Sequence, residues 1–194
     1  MREGGCPRCG SPPDGRETGC VTCGRLPVEL ELVHSSYWFA GSAPALVHGL
    51  KYAGMRWLAD FLTGLLSADR QLAQLAARTD LFCPVPLHFW RLFRRGYNQS
   101  EELALRLAAL HGRKLCGDCL TRTRRTRTQT RLSPEERQAN VRGAFRVRRP
   151  EQVAGLNILV IDDVMTTGAT LGACTVALKN AGAANVYAYT FARA

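Results

Sequence analysis

The thirteen residues from Ile158 to Thr170, reading Ile-Leu-Val-Ile-Asp-Asp-Val-Met-Thr-Thr-Gly-Ala-Thr, constrain this chain more than any other part of it. The apolar run from Asn157 to Ile161 has the length and β-branched content of a strand buried on both faces. It leads directly into two acids at its C-terminal end, where α/β sheets bind ligands. Adjacent carboxylates there, Asp162 and Asp163, can accept hydrogen bonds from vicinal hydroxyls such as the pair on a ribose ring. They can also help hold a divalent metal, directly or through water. Thr166, Thr167, Gly168, Ala169 and Thr170 then form a small-residue loop that opens a helix. Backbone N–H groups, hydroxyls and the helix dipole together suit a phosphate dianion. Two solvated aspartates at a strand end would explain the acids alone, but not all thirteen positions at once.

The rest of the chain reads as strands alternating with helices, which predicts a parallel α/β sheet. One or two short strands are expected between Val28 and Ala40, and a helix from Pro44 to Tyr52. Met55 to Ala77 is amphipathic, with interruptions at Gly64 and at Ser67-Ala68-Asp69 that divide it into two helices. Asp80 to Pro86 is a short apolar run closed by prolines, a strand ending in a loop. A basic loop from His88 to Asn98 leads to a helix from about Gln99 to Leu110. Lys114 to Leu120 is compatible with a strand, and Thr121 to Arg131 is a Thr/Arg tract without apolar periodicity, hence a mobile loop. Ser133 and Pro134 have the chemistry of an N-cap and first helical residue. A helix to about Ala181 and a strand from Asn185 to Phe191 close the chain. No apolar run approaches the ~18 residues needed to span a bilayer. Met1 to Cys6 lacks the apolar core of a secretory signal. A soluble cytoplasmic protein without membrane insertion is expected.

Four of the eight cysteines are ordered in sequence. Cys6-Pro7-Arg8-Cys9-Gly10 and Cys20-Val21-Thr22-Cys23-Gly24 form two Cys-x-x-Cys-Gly units across a Gly/Pro-rich loop. Each can turn two thiolates toward one tetrahedral metal, and the following glycine lets an amide approach sulfur. So short a segment cannot bury a core of its own, so structural Zn2+ would supply its folding free energy. A disulfide framework suits a secreted chain, and a redox pair wants a βαβ setting; neither fits here. Cys83, Cys116, Cys119 and Cys174 are read as small buried apolar residues. The chain thus divides into a zinc-binding knuckle over 1–27 and a larger domain over 28–194.

Charge is also localised. Between Pro86 and Pro150 there are 16 Lys+Arg against 5 Asp+Glu, whereas the remainder holds 10 basic and 11 acidic residues. A localised basic stretch points to an anionic partner, nucleic acid or a phosphorylated small molecule. An Arg-rich solvated face is the plainer explanation, and arginine does outnumber lysine throughout.

With these features together, Ile158 to Thr170 resembles the phosphoribosyl pyrophosphate (PRPP) signature of type I phosphoribosyltransferases. The wider chain resembles the ComF family, which includes ComFC competence proteins and GntX-type proteins. The cysteine knuckle, Gly49-Leu50-Lys51-Tyr52, Pro84-Val85-Pro86 and Arg95-Gly96-Tyr97-Asn98-Gln99-Ser100 carry that closer match. So does the series Arg122, Gln129, Arg137, Asn140 and Phe145. The resemblance implies a type I phosphoribosyltransferase-like fold: a central, mostly parallel sheet flanked by helices, plus the small N-terminal knuckle. It further implies a pyrophosphate-contacting loop at Pro86 to Leu92 and a mobile basic lid over 121–137. Asp162 and Asp163 would be the catalytic pair, with Thr166 to Thr170, Arg95 and Arg122 on PRPP, because arginine forks bind clustered oxygens bidentately. Mg2+ would accompany PRPP and neutralise the leaving pyrophosphate. Asn98 and Gln99 either cap a helix or touch ligand.

Three functions follow from the resemblance. One is Mg-dependent transfer of phosphoribose from PRPP to an unidentified nucleophile, or hydrolysis of PRPP. Thr166 stands where hypoxanthine-type transferases carry an acid that works on the purine, and a threonine cannot serve as a carboxylate base. Another is single-stranded DNA handling during natural transformation, alongside competence helicase-type partners. Trp38, Trp57, Trp90 and Tyr97 would then be stacking surfaces, or else core residues. The third is sensing of PRPP without turnover.

Overall fold

The computed structural model of the chain describes residues 5–12, 20–52, 54–126 and 133–194. The first residues of the expected knuckle, its Gly/Pro-rich loop over 13–19 and residues 127–132 of the expected lid lie outside these. In chain order the strands are β1 (Leu30–Trp38), β2 (Leu81–Pro84), β3 (Lys114–Leu115), β4 (Leu120–Arg122), β5 (Phe145–Val147), β6 (Asn157–Met165) and β7 (Asn185–Arg193). The helices are α1 (Val21–Gly24), α2 (Ala43–Tyr52), α3 (Leu58–Leu66), α4 (Arg70–Ala77), α5 (Phe89–Arg95), α6 (Gln99–Leu110), α7 (Pro134–Val141) and α8 (Ala169–Asn180).

Five strands form one sheet in the order β1-β7-β6-β2-β3, and every neighbouring pair is parallel. Strand alternation divides β6 and β7 between two cores. Leu159, Ile161, Tyr189 and Phe191 pack with α2, α3, α4 and α6. Ile158, Val160, Val186 and Ala188 pack with α8 and the antiparallel β4–β5 ribbon. Ile158 to Ile161 are fully buried, each stabilising the sheet by ~1.5–3 kcal/mol. That double coverage is why the run is apolar at every position.

Local signals set the helix ends. Asn98 accepts a hydrogen bond from the Ser100 amide at 3.2 Å and starts α6, with Glu101 and Glu102 in its first turn. Ser133 and Glu136 close a reciprocal capping box on α7, with Pro134 at its first position. Asp69 accepts from Leu72 at the start of α4, and also from His34 and Ser36 of β1.

The structure departs from the sequence expectations in several places. Residues 28–40 hold one strand, within the one or two expected, but Gly64 lies inside α3, so only Ser67 to Asp69 interrupts the pair of helices. The expected basic loop after His88 contains α5, which buries none of its residues and therefore shows no apolar period. Lys114 to Leu120 is divided between β3 and β4, and β4 extends to Arg122 because it pairs with distant β5. Cys116 and Cys119 are bonded to each other rather than packed as thiols. Cys83 and Cys174 are buried thiols as expected, and burial raises both, Cys83 to about 12. No helix of the described residues is long and apolar enough to cross a membrane.

Candidate functional site

β6 does not stop at the acids. It continues to Met165, pairing Asp162 with Thr190, Val164 with Ala192 and Met165 with Arg193 of β7. On its other side β2 ends where Pro84 meets Ile161. Asp162 and Asp163 therefore stand beside a gap left by a shorter neighbour. The N-terminus of α6 fills that gap, anchored by an Asn98 Nδ2 hydrogen bond to the Val85 carbonyl at 3.0 Å. Asn98 thus acts as a cap, and the next two residues reach the acids. Ser100 Oγ donates to Asp162 Oδ1 at 2.7 Å, and Gln99 Nε2 donates to Asp163 Oδ1 at 3.1 Å. The positive end of the α6 dipole favours anionic charge at this place.

Successive strand residues point to opposite faces, so the two acids have different surroundings. Asp163 lies on the α2 side, only 2% exposed, where Lys51 Nζ forms an ion pair with Oδ2. Burial would lower the lysine, but the charges of Asp163 and Asp162 outweigh it and hold the ammonium above its ordinary range. Breaking a buried pair of this kind costs about 3–5 kcal/mol, because it strands a charge. Asp162 lies on the α8 side and is half-buried. Burial and the adjacent Asp163 charge push its carboxyl up to about 7, against the opposing pull of Lys51 and Ser100. Both donors to Asp162, Ser100 Oγ and the Asp163 amide at 2.9 Å, meet Oδ1. Its Oδ2 has no donor among the described residues.

The phosphate-loop candidates follow β6 without a break. Thr166 is exposed and Thr167 half-buried. Gly168 takes φ +77° and begins α8, and the Ala169 amide donates to Thr167 Oγ1 at 3.4 Å. A methyl group at Gly168 would lie 2.4 Å from Leu26 Cδ2 and 3.1 Å from Met165 Cε. The loop is thus packed from beneath by the residues that follow the cysteine segment.

Arginines close the other side. Arg122, on β4, lies over the Phe145 ring at 5.3 Å and donates to Thr126 Oγ1. Arg91 of α5 donates to the Thr126 carbonyl at 3.2 Å. Burial lowers both guanidinium groups; the Arg91 charge lowers Arg122 further, and Arg95 and Arg125 do the same to Arg91. Such like-charge crowding is relieved by an anion. Arg95 donates to Gln99 Oε1 and lies over the Tyr52 ring at 5.1 Å, so it is one residue removed from Asp163. The sequence singles out Arg95 and Arg122, and the family resemblance places Arg91 within the expected pyrophosphate loop at Pro86 to Leu92, whereas Lys51 and Ser100 have no individual role there. Lys51 and Ser100 do belong to the Gly49–Tyr52 and Arg95–Ser100 segments that carry the resemblance.

The acid pair is a poor direct seat for a divalent ion. A hard cation seeks about six oxygens. Here Asp163 is engaged on both oxygens, Asp162 on one, and an ammonium already offsets one of the two charges. The acid pair by itself does not complete a magnesium ligand set, and it leaves one carboxylate oxygen, Asp162 Oδ2, without a donor among the described residues.

The cysteine cluster does fit a metal. Sγ atoms of Cys6, Cys9, Cys20 and Cys23 all lie within 4.8 Å of one another, and none of the four is disulfide-bonded. Cys6–Cys23 and Cys9–Cys20 are 3.5 Å apart, close to the ~3.8 Å that tetrahedral Zn–S bonds of ~2.3 Å require. Within the quartet the thiols divide: burial would raise Cys20, but hydrogen bonds from the Cys23 backbone and from Ser11, Cys9 and Cys6 bring it down to about 6, while burial and the neighbouring thiols push Cys23 up. The segment is fastened to the sheet. Arg8 donates to the Pro27 and Leu30 carbonyls, and its own carbonyl accepts from the Val33 amide of β1 at 2.8 Å. Arg193 reaches Cys9 O, Ser11 and Thr22.

Of the stacking candidates, Tyr97 is buried and donates to the Leu50 carbonyl, while Trp38, Trp57 and Trp90 are at the surface.

Residues 46–194 match the family model described as the phosphoribosyl transferase domain. Curated relatives include DNA utilization protein YhgH of Salmonella typhi, 34% identical over 191 residues, covering 97% of this chain and 83% of the relative. YhgH of Escherichia coli strain K12 is 32% identical over the same shares. Competence protein F of Haemophilus influenzae is 28% identical over 153 residues, 77% of this chain and 67% of the relative.

Proposed function

Because the chain belongs to the phosphoribosyl transferase domain family, in its ComF branch, we propose that it binds PRPP at the C-terminal end of β6. One observation carries the reading: a single strand–loop–helix unit supplies both an open carboxylate and the N-terminus of α8. Asp162 accepts from the ribose hydroxyls through Oδ2. The amides and hydroxyls from Thr166 to Thr170 hold the 5-phosphate. Arg122 and Arg91, crowded in the unliganded site, take the pyrophosphate, with Arg95 behind them. The lid over 121–137 would close above the ligand and exclude water from the displaced ribose centre. Thr166 brings no carboxylate, so a base for an acceptor must come from elsewhere or from the acceptor itself.

A second observation supports DNA handling as the purpose of that site, in keeping with the names of the relatives. α5 exposes Phe89 by 64%, Trp90 by 58% and Phe93 by 75%, interleaved with Arg91, Arg94 and Arg95. Aromatic faces among cations suit the bases and phosphates of single-stranded DNA. Because α5 shares Arg91 and Arg95 with the pocket, a PRPP-ordered lid would also alter the DNA surface.

Two measurements test these readings. Calorimetry with PRPP should give saturable heat for the wild type and at least about tenfold weaker binding for Asp162→Asn, the loss expected when a charged acceptor becomes neutral. Anisotropy of a labelled oligothymidylate should show salt-sensitive binding that Trp90→Ala with Phe93→Ala weakens by about tenfold or more. A folded wild type giving no heat with PRPP defeats the first reading; DNA binding indifferent to the α5 changes defeats the second.

A further inference from the structure

The acid pair carries a charge balance unlike that of an open metal site. Its two carboxylates are served by donors from two helices: Lys51 at the last turn of α2, and Gln99 and Ser100 at the first turn of α6. Lys51 is held for the purpose. α2 buries Val47 and Leu50 against α3 and α6, and Tyr97, just before α6, donates to the Leu50 carbonyl immediately preceding Lys51. The Lys51 side chain is 24% exposed and the Asp163 side chain 3%, so the pair closes the inner side of the site.

We propose that Lys51 is the resident counter-cation of the acid pair, occupying the place a divalent metal would otherwise take. It is a positioning residue. It pins Asp163, offsets one of the two carboxylate charges, and leaves Asp162 Oδ2 as the acceptor presented to a ligand. The sugar ligand would then meet the acids without a metal ion between them. An ammonium and a divalent ion compete for the same oxygens, so deleting the lysine should create a metal site. This goes beyond the PRPP reading and is tested without any sugar phosphate, so the two can fail separately.

The experiment is Mn2+ titration of the zinc-loaded protein, followed by electron paramagnetic resonance of the free ion. Wild type should show no site that Asp163→Asn removes. Lys51→Met should gain one site, binding at least tenfold more tightly than any wild-type site, lost again in Lys51→Met with Asp163→Asn. Lys51→Arg should restore the wild-type result, whereas a lysine that served only for packing would change the melting temperature without creating metal binding. Lys51→Gln serves if the methionine variant fails to fold. Should neither fold, the wild type decides alone: a Mn2+ site abolished by Asp163→Asn overturns the proposal, and its absence upholds it. A folded Lys51→Met that gains no Mn2+ site also overturns it.

Discussion

Asp162 and Asp163 are neighbours in sequence but not equivalent groups. Asp163, fixed by Lys51 and Gln99, belongs to the interior. Asp162 is held near pH 7 by burial and by the charge beside it. A carboxyl whose folded pKa is raised keeps a proton that the unfolded chain has already lost. Its contribution to stability therefore falls as pH rises from about 4 to about 7. Ligand binding has the opposite dependence, because only the ionised form accepts both ribose hydroxyls fully. PRPP affinity should thus decline between pH 8 and pH 6. Asp162→Asn, which cannot titrate, should retain only the slope due to the ligand's own phosphates. Calorimetry at the two pH values for both proteins checks this, and parallel slopes would remove Asp162 from the binding role. The adjacent acids and their position after an apolar run were legible in the sequence. Their inequality was not, because it depends on Lys51 and Ser100, more than forty residues away in the chain.

Among the elements, β6, α6 and α8 could be read directly, since each combines an apolar pattern with a matching end signal. α5 could not. It is bounded by His88, which accepts from the Trp90 amide, and by Gly96 at φ +82°. With no face turned to the core, it lacks the periodicity by which helices are recognised. The β4–β5 ribbon was invisible for another reason: Leu120–Arg122 pairs with Phe145–Val147 across the lid, and three-residue strands carry almost no local signal. The loop between β6 and α8 yields an element-scale prediction. Gly168→Ala meets both a left-handed backbone and the Leu26 side chain at 2.4 Å, which together should cost ~2–4 kcal/mol and abolish PRPP binding. Gly155→Ala, at φ +74° in open space, should cost only the backbone share, ~1–2 kcal/mol, and leave binding intact. Thermal unfolding and calorimetry of the two variants distinguish steric support of the loop from simple backbone strain. Equal losses would show that Leu26 does not matter.

Over the whole molecule, the cysteine cluster and the candidate ligand site form a connected structure. Only two residues separate Cys23 from Leu26, which supports Gly168, and Pro27 comes within 2.9 Å of where a Cβ on Gly172 would sit. Gln138 of α7 donates to the Arg25 carbonyl at 2.7 Å, linking α7 to the same segment. Metal binding should therefore support the phosphate loop at a distance. Purified protein is expected to contain one zinc per chain. Cys23→Ser or chelation should remove it and weaken PRPP binding by about tenfold while the far-ultraviolet dichroism of the sheet persists, because metal supplies the folding energy of the small segment rather than of the core. Zinc-free protein with unchanged PRPP affinity would separate the two sites.

The sequence by itself determined what short-range chemistry can specify: a buried parallel strand, an acid pair and phosphate-type loop in fixed order, a thiolate quartet, and a basic region. These depend on spacings of a few residues, where covalent geometry dictates what can meet. Only the tertiary structure decided which acid is neutralised, which arginines converge, that an aromatic helix stands exposed beside them, and that the cysteine segment supports the loop. Each of those is a contact between residues far apart in the chain, and such contacts exist only after the sheet has brought its connections together.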